Sequence, residues 1–411
     1  MSGRATNIIL PQSVKSLGFS VRRVRRSSRK LLTVFGTRPE VIKLAPVIRQ
    51  LEAYGETFQV VNVTSAQHTD LLYPLIRLFG MRIDKDLQVM QPDQTSNLTC
   101  SRVLASLDPI LDREKPELIL VQGDTTTTMA GALAGFYRGI PVAHVEAGLR
   151  SGNPHSPFPE EMNRTLITRL ATYHFAATPG NRETLLAEGV TRANVFVTGN
   201  PVVDSLKSVL ERCALTPAVE KLLHATDGFK RIVLTTHRRE SFGVVMTHNL
   251  QTLRDFVEVH RDVALIFPVH PNPTVVDQAT SILSDHPRIH LIKPLDYVDF
   301  IMLLTRVWLI ISDSGGVQEE APTLGKPLLI LRENTERPEV LHSGVARLVG
   351  PQPERLRSML SEAYKAGSWA SEVKSVRNPF GRGDSGKQIA SIIAQLLNVT
   401  RRQRTEERRV S

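Results

Sequence analysis

The stretch LLTVFGTRPEVIKLAPVIRQLEAY, residues 31–54, decides how the rest of the chain is read. Leu31–Phe35, apolar apart from Thr33, reads as a buried strand, the pattern of a strand covered on both faces. It ends in the turn Gly36-Thr37-Arg38-Pro39-Glu40. Val41, Leu44, Ala45, Ile48 and Leu51 then recur at helical spacing as far as Tyr54. Phe58–Val63 reads as the next strand. A buried strand, a tight turn, an amphipathic helix and a second buried strand make a βαβ unit, which implies a parallel sheet with helices on both faces.

The same alternation continues outward from this unit. Glu117–Val121, Pro141–Val145, Tyr173–Ala177 and Val195–Val197 read as further strands. Thr198-Gly199-Asn200-Pro201 is a turn-rich break. A helical stretch, Val202–Leu223, reads as a connector. A second series follows, with strands at Arg231–Thr235, Ala264–Phe267, Ile289–Ile292, Trp308–Ile311, Pro327–Leu331 and Ala346–Val349. The expected architecture is α/β, with two Rossmann-like domains around a cleft. The expected divisions are 31–200, 201–376 and a helical segment, 377–400, packing back on the first domain.

The 411 residues are too many for one ordinary domain. With 41% hydrophobic and 22% charged residues, the chain can bury a large core. Its net charge of +10 suggests a polyanionic partner, but the charge is terminal. Residues 1–30 carry +8 and residues 401–411 carry +3, which leaves −1 for residues 31–400. The head reads as a basic extension without packed structure, and its acid-free Arg/Ser composition also resembles a transit peptide. The tail reads as a solvated end. A body at −1 argues against nucleic acid as the partner. Two cysteines, Cys100 and Cys213, exclude a disulfide scaffold and a Cys-based zinc cluster and fit the cytoplasm. No apolar run of about 18 residues is present, so no membrane insertion is expected.

Open parallel sheets bind ligands beyond the carboxyl ends of their strands. The chemistry-bearing motifs fall there. In the first turn, Arg38 and Lys43 place two cations near a helix N-terminus, where the dipole disfavours them. They read either as an anion site or as solvated neighbours of a Thr-capped helix. Gln122-Gly123-Asp124 precedes four threonines, and Asp124 reads either as a helix cap or as a functional carboxylate. His144-Val145-Glu146-Ala147-Gly148 ends another strand. Glu160 and Glu161 open a helix running through Arg164, where acidic residues ordinarily complement the dipole. Asp124, Glu146 and Glu160 nevertheless share one sheet edge, and carboxylates in differing environments can run acid and base steps together.

In the second half, His237-Arg238-Arg239 is either an anion site or a solvated basic turn. Ser314-Gly315-Gly316 at a strand end offers backbone N–H groups to a phosphate. Glu320, one turn on, suits two ribose hydroxyls. Arg337 before Pro338 is a second diphosphate candidate. Neither a P-loop nor GxGxxG occurs, so neither ATP nor NAD is signalled.

Seven motifs taken together resemble the non-hydrolysing UDP-N-acetylglucosamine 2-epimerases: FGTRPE (35–40), GDTTTT (123–128), HVEAGLR (144–150), PEEMNR (159–164), HRRESFG (237–243), DSGGVQEE (313–320) and TERPE (335–339). They occur in order from about residue 31 to 397. The resemblance implies a glycosyltransferase-B-like fold, a homodimer, and neither NAD nor a metal. It implies interconversion of UDP-GlcNAc and UDP-ManNAc, through elimination of UDP to 2-acetamidoglucal and re-addition, for cell-surface polysaccharide synthesis. It assigns acid/base roles to Asp124, Glu146 and Glu160, with His237 at the catalytic turn. It places Arg38, Lys43, Arg164, Ser314, Gly315, Gly316 and Arg337 on the substrate, Glu320 on the ribose and Phe300 near the uracil. Gln67 and His68 match part of a second, activating UDP-GlcNAc site of some members, but Thr69 follows where a basic residue is common. Asp93 and Thr236 likewise stand where Gly is frequent. A hydrolysing epimerase and a UDP-sugar glycosyltransferase are the alternative readings of such a cleft.

Overall fold

The computed structural model describes residues 28–55, 57–67, 69–91, 94–236 and 243–410. The basic head up to residue 27, His68, Asp93 and His237 lie outside the described residues.

Among the described residues, thirteen strands form two all-parallel sheets. The first contains β1 (Arg29–Phe35), β2 (Phe58–Thr64), β3 (Lys85–Asp86), β4 (Leu118–Gln122), β5 (Val142–Ala147), β6 (Tyr173–Ala176) and β7 (Val195–Val197). Its order is β3-β2-β1-β4-β5-β6-β7. The second contains β8 (Lys230–Thr235), β9 (Val263–Pro268), β10 (Ile289–Ile292), β11 (Leu309–Ser312), β12 (Leu328–Ile330) and β13 (Ala346–Leu348), in the order β10-β9-β8-β11-β12-β13. Both sheets are doubly wound, and each reverses direction beside its first strand. Ligand crevices form at such points, here between β1 and β4 and between β8 and β11. The strands are apolar on both faces because helices cover both; all five residues of β4 are buried.

The expected connector helix Val202–Leu223 is two helices, Val202–Arg212 and Pro217–Ala225. Pro217 cannot continue a helix and instead starts the second one after an extended Cys213. The first of the two belongs to both halves, packing on the helices Arg38–Glu52 and Gly315–Leu324. Through it one apolar cluster runs from Leu44 and Ile48 by way of Leu206 and Val209 to Leu304 and Val317.

The chain crosses back in the long helix Ser385–Val410, which lies against Arg38–Glu52. The approach is close: a Cβ on Gly386 would stand 2.7 Å from the Pro46 carbonyl oxygen. The Asp204 carboxylate accepts the backbone N–H groups of Ser385 and Gly386 and so caps this helix from the other crossing. Pro46 lies inside Arg38–Glu52 and has no N–H to give to Ile42. The Ser205 hydroxyl donates to that free carbonyl instead. The two crossings also meet directly, Asn200 N–H donating to the Phe380 carbonyl at 2.7 Å.

Candidate active site

The carboxyl ends of the two sheets face one another. On the first sheet, Gly36 ends β1 where a Cβ would stand 1.8 Å from Ser65 Oγ and 2.9 Å from Thr127 Oγ1, so only glycine fits. The next helix starts with a capping box built from Thr37 and Glu40. Glu40 Oε2 accepts from Gly36 N, Thr37 N and Thr37 Oγ1 at 2.7–3.0 Å. Its Oε1 accepts from Thr125 Oγ1 at 3.0 Å and Thr128 Oγ1 at 2.7 Å. The threonines after Asp124 therefore stitch the β4 turn to the β1 turn. Thr127 donates to Gln67 at 2.8 Å. Burial pushes the Glu40 carboxyl up, against the pull of these donors.

Glu146 sits one strand away and differs in kind. It is at the β5 bulge with φ +64°, a conformation a non-glycine residue adopts only when its surroundings enforce it. It is 5% exposed. Gln122 donates to Oε2, and Asn200 donates to Oε1 at 2.9 Å. Lys43 Nζ lies 2.5 Å from Oε1 and, on its other side, 2.8 Å from Glu319 Oε2 of the second domain. Arg337 binds Glu319 through Nε at 2.5 Å and Glu336 through Nη1 at 2.5 Å, and its Nη2 stands 3.9 Å from Glu146. Burial, the Glu319 charge and a hydrogen bond to Glu319 push Glu146 up, while Lys43 opposes them. Glu319 lies well down because Arg337 and Lys43 outweigh its burial. Burial would lower Lys43, but Glu146 and Glu319 hold it above its ordinary value.

A third group centres on Arg164. Its Nε donates to Asp124 Oδ2 at 2.8 Å, its Nη1 to Glu161 Oε2 at 2.7 Å, and its Nη2 stands 3.9 Å from Glu336. Asn163 donates to the Asp124 carbonyl at 2.8 Å. Asp124 is thus held at the cleft lip with its side chain 25% exposed. Glu160 is half-buried on the first turn of the helix Glu160–Leu170. Glu161, beside it, is turned inward and accepts the Ser151 and Gly152 N–H groups. His144 is buried and pushed down to about 3 by desolvation and then by the charge of His174, with Nε2 2.8 Å from the Gly123 carbonyl. It is a neutral support for the β4 turn.

On the second sheet, Ser314 precedes the helix Gly315–Leu324, and its N–H donates to Ser312 Oγ at 3.0 Å. A Cβ on Gly315 would stand 3.0 Å from the Arg337 guanidinium, so the missing side chain lets Arg337 lie along the helix start. Gly316 is exposed. Glu320 is buried and pushed up to about 7 by desolvation, with Arg38 opposing and Glu319 adding to the rise. Arg38 is exposed, and its charge is felt at Glu320. Phe300 lies half-buried on the helix Tyr297–Leu304, beside the buried and unpartnered Tyr297 hydroxyl.

The structure thus brings Lys43, Glu146 and Arg337 into contact, and Asp124 with Arg164. Phe300 and Gly316 join neither cluster. The expectations at His68 and His237 fall outside the described residues. Glu40, Glu161, Glu319, Glu336, Gln122 and Asn200 were not singled out from sequence. Among the described residues, no group of three or more His, Cys, Asp or Glu could hold a metal, and no helix is long and apolar enough to cross a membrane.

Residues 50–394 match the family model described as UDP-N-acetylglucosamine 2-epimerase. The chain belongs to the UDP-N-acetylglucosamine 2-epimerase family. The UDP-N-acetylglucosamine 2-epimerase of Escherichia coli K12 is 43% identical over 366 residues, 88% of this chain and 97% of that one. The UDP-GlcNAc 2-epimerase of Neisseria meningitidis, solved with UDP-GlcNAc bound, superposes with a TM-score of 0.84 at 38% identity, covering 89% of this chain and all of that one. The Methanocaldococcus jannaschii UDP-GlcNAc 2-epimerase, solved with UDP-GlcNAc and UDP, gives 0.76 at 33% identity over 89% of this chain and 99% of that one. Two Rossmann-like sheets facing across a cleft are the glycosyltransferase-B-like arrangement of this chain.

Proposed function

We propose that this chain interconverts UDP-GlcNAc and UDP-ManNAc without net hydrolysis, using neither NAD nor a metal. A carboxylate takes the proton from C2. The C–H electrons form the C1=C2 bond, and the C1–O electrons leave with UDP. The bound 2-acetamidoglucal then accepts a proton on the opposite face of C2 as UDP re-adds at C1. Asp124, Glu146 and Glu160 serve as the acid/base carboxylates, with His237 nearby. Arg38, Lys43, Arg164 and Arg337 with the Ser314–Gly316 amides receive the diphosphate, Glu320 the ribose and Phe300 the uracil. Oxocarbenium-like charge at C1 would be stabilised by the carboxylates, and departing UDP by the cations.

The single observation that carries this reading is the buried cluster at Glu146. It places an ionisable carboxylate and two cations in one water-poor site, as joint proton transfer and diphosphate departure require. The Neisseria and Methanocaldococcus structures add that proteins of this family hold UDP-GlcNAc. The reading extends to a reducing cytoplasm, with Cys100 and Cys213 unbridged, to a homodimer, and to supply of ManNAc units for surface polysaccharide. NMR of UDP-GlcNAc with the protein in D2O tests it. The expected result is UDP-ManNAc with deuterium at C2. Free ManNAc with stoichiometric UDP would establish the hydrolysing reaction instead, and absence of deuterium at C2 would sink epimerisation.

A further inference from the structure

Glu146 has enough partners within its own domain to be a permanent anion. Lys43 alone would neutralise it, and Gln122 and Asn200 supply its hydrogen bonds. Glu319 upsets that balance. It arrives from the helix Gly315–Leu324 of the other domain, is fully buried and shares Lys43 with Glu146. Among the described residues, the charged groups at the pair are Lys43 from the helix Arg38–Glu52 and Arg337 before the helix Pro338–His342, with Glu336 on Arg337 and Glu320 next in sequence. Two buried carboxylates facing one lysine do not both ionise readily. Arg337 Nε fixes the charge on Glu319 at 2.5 Å, whereas it approaches Glu146 only to 3.9 Å. Glu319 Oε2 stands 2.8 Å from Lys43 Nζ, and Glu146 hydrogen-bonds to the same carboxylate.

We propose that Glu319 is a positioning residue: reaching across the cleft to Lys43 and Glu146, it keeps Glu146 protonated until that proton is delivered to C2. The proposal rests on the epimerase reading above. A different carboxylate takes the first proton from C2. Glu146 then gives its own proton to the opposite face of the glycal, and both groups return to their starting states by exchange with solvent. Because Glu319 comes from the second domain, the arrangement exists only while the two sheets face each other, so Glu146 becomes an acid in the closed cleft alone.

The test is an infrared titration of the full-length chain, read at the protonated-carboxyl stretch, together with the pH profile of UDP-ManNAc formation. In the unsubstituted enzyme a carboxyl band should titrate near neutrality and vanish in Glu146→Gln; the Glu320 band remains as an internal reference. In Glu319→Gln the band should titrate lower by on the order of one pH unit, a tenfold change in proton affinity. The alkaline limb of turnover should move down with it, and Glu319→Asp should restore part of the shift. A purely structural Glu319 would lower turnover at every pH and leave the limb in place, which overturns the proposal. So does an unsubstituted enzyme with no band lost in Glu146→Gln, a comparison that needs no folded Glu319 variant. If the enzyme forms no UDP-ManNAc at any pH, the reaction reading fails while the titration still reports on Glu319.

Discussion

Glu40 and Glu146 are two buried carboxylates at the same edge of the first sheet, and they do opposite jobs. Glu40 is met by neutral donors, the amides and hydroxyls of two adjacent turns. Glu146 is met by a lysine from its own domain and by an arginine and another carboxylate from the second. Neutral dipoles can satisfy a buried carboxylate fully and leave nothing for a substrate to change. Cations in an ion-pair cluster can be drawn away by a diphosphate, which then alters the carboxylate's charge state. The kind of partner, more than burial itself, separates a brace from a reacting group.

The comparison is sharpest in rate. Glu146→Gln and Asp124→Asn should each lower turnover of the folded protein about 10²–10⁴-fold, measured by NMR of UDP-ManNAc formation. Near-normal rates in both would erase the distinction. Glu40→Gln should do the reverse. Its amide nitrogen must face hydroxyl or amide donors, so stability should fall by about 1–3 kcal/mol in urea unfolding, and the folded protein should keep turnover within about tenfold. A thousandfold loss of turnover in folded Glu40→Gln would make it part of the chemistry.

Glu320 supplies an intermediate case. It is raised to about 7 by burial, whereas the proposed role on the ribose hydroxyls calls for an anion. UDP binding should therefore release a proton near neutrality, weaken as pH falls below about 7 and level off above it. Calorimetry in buffers of different ionisation enthalpy measures this, and Glu320→Gln should abolish the pH dependence. The smallest effect is expected at Thr128→Val, which removes one donor to Glu40. It should cost about 1 kcal/mol of stability and leave the pH profile unmoved.

Much of this was readable before any coordinates. Leu31–Phe35 and the runs like it identify buried parallel strands because Leu, Ile, Val, Ala and Phe dominate them. Arg38, Asp124, Glu146, Ser314 and Arg337 stand out because each follows such a run. Pro217 breaks the connector for a reason visible in the sequence, although Val202–Leu223 reads as one helical stretch. Glu319 was not readable. It adjoins Glu320 in the same motif, and about 100° of helical rotation separates what the two side chains meet. Only the meeting of the two domains shows that Glu319 reaches Lys43. Glu40 carried a signal, the Thr37/Glu40 capping box, but its reach to Thr125 and Thr128 depends on β1 and β4 being neighbours.

The helix Ser385–Val410 has a consequence for how the molecule is made. It belongs in space to the first sheet, yet the ribosome produces it after the whole of the second. Until Gly386 has emerged, the Pro46 flank of the helix Arg38–Glu52 stays open to water. The half synthesised first is therefore completed last, and a nascent chain stopped before Ser385 leaves the tunnel with that flank uncovered.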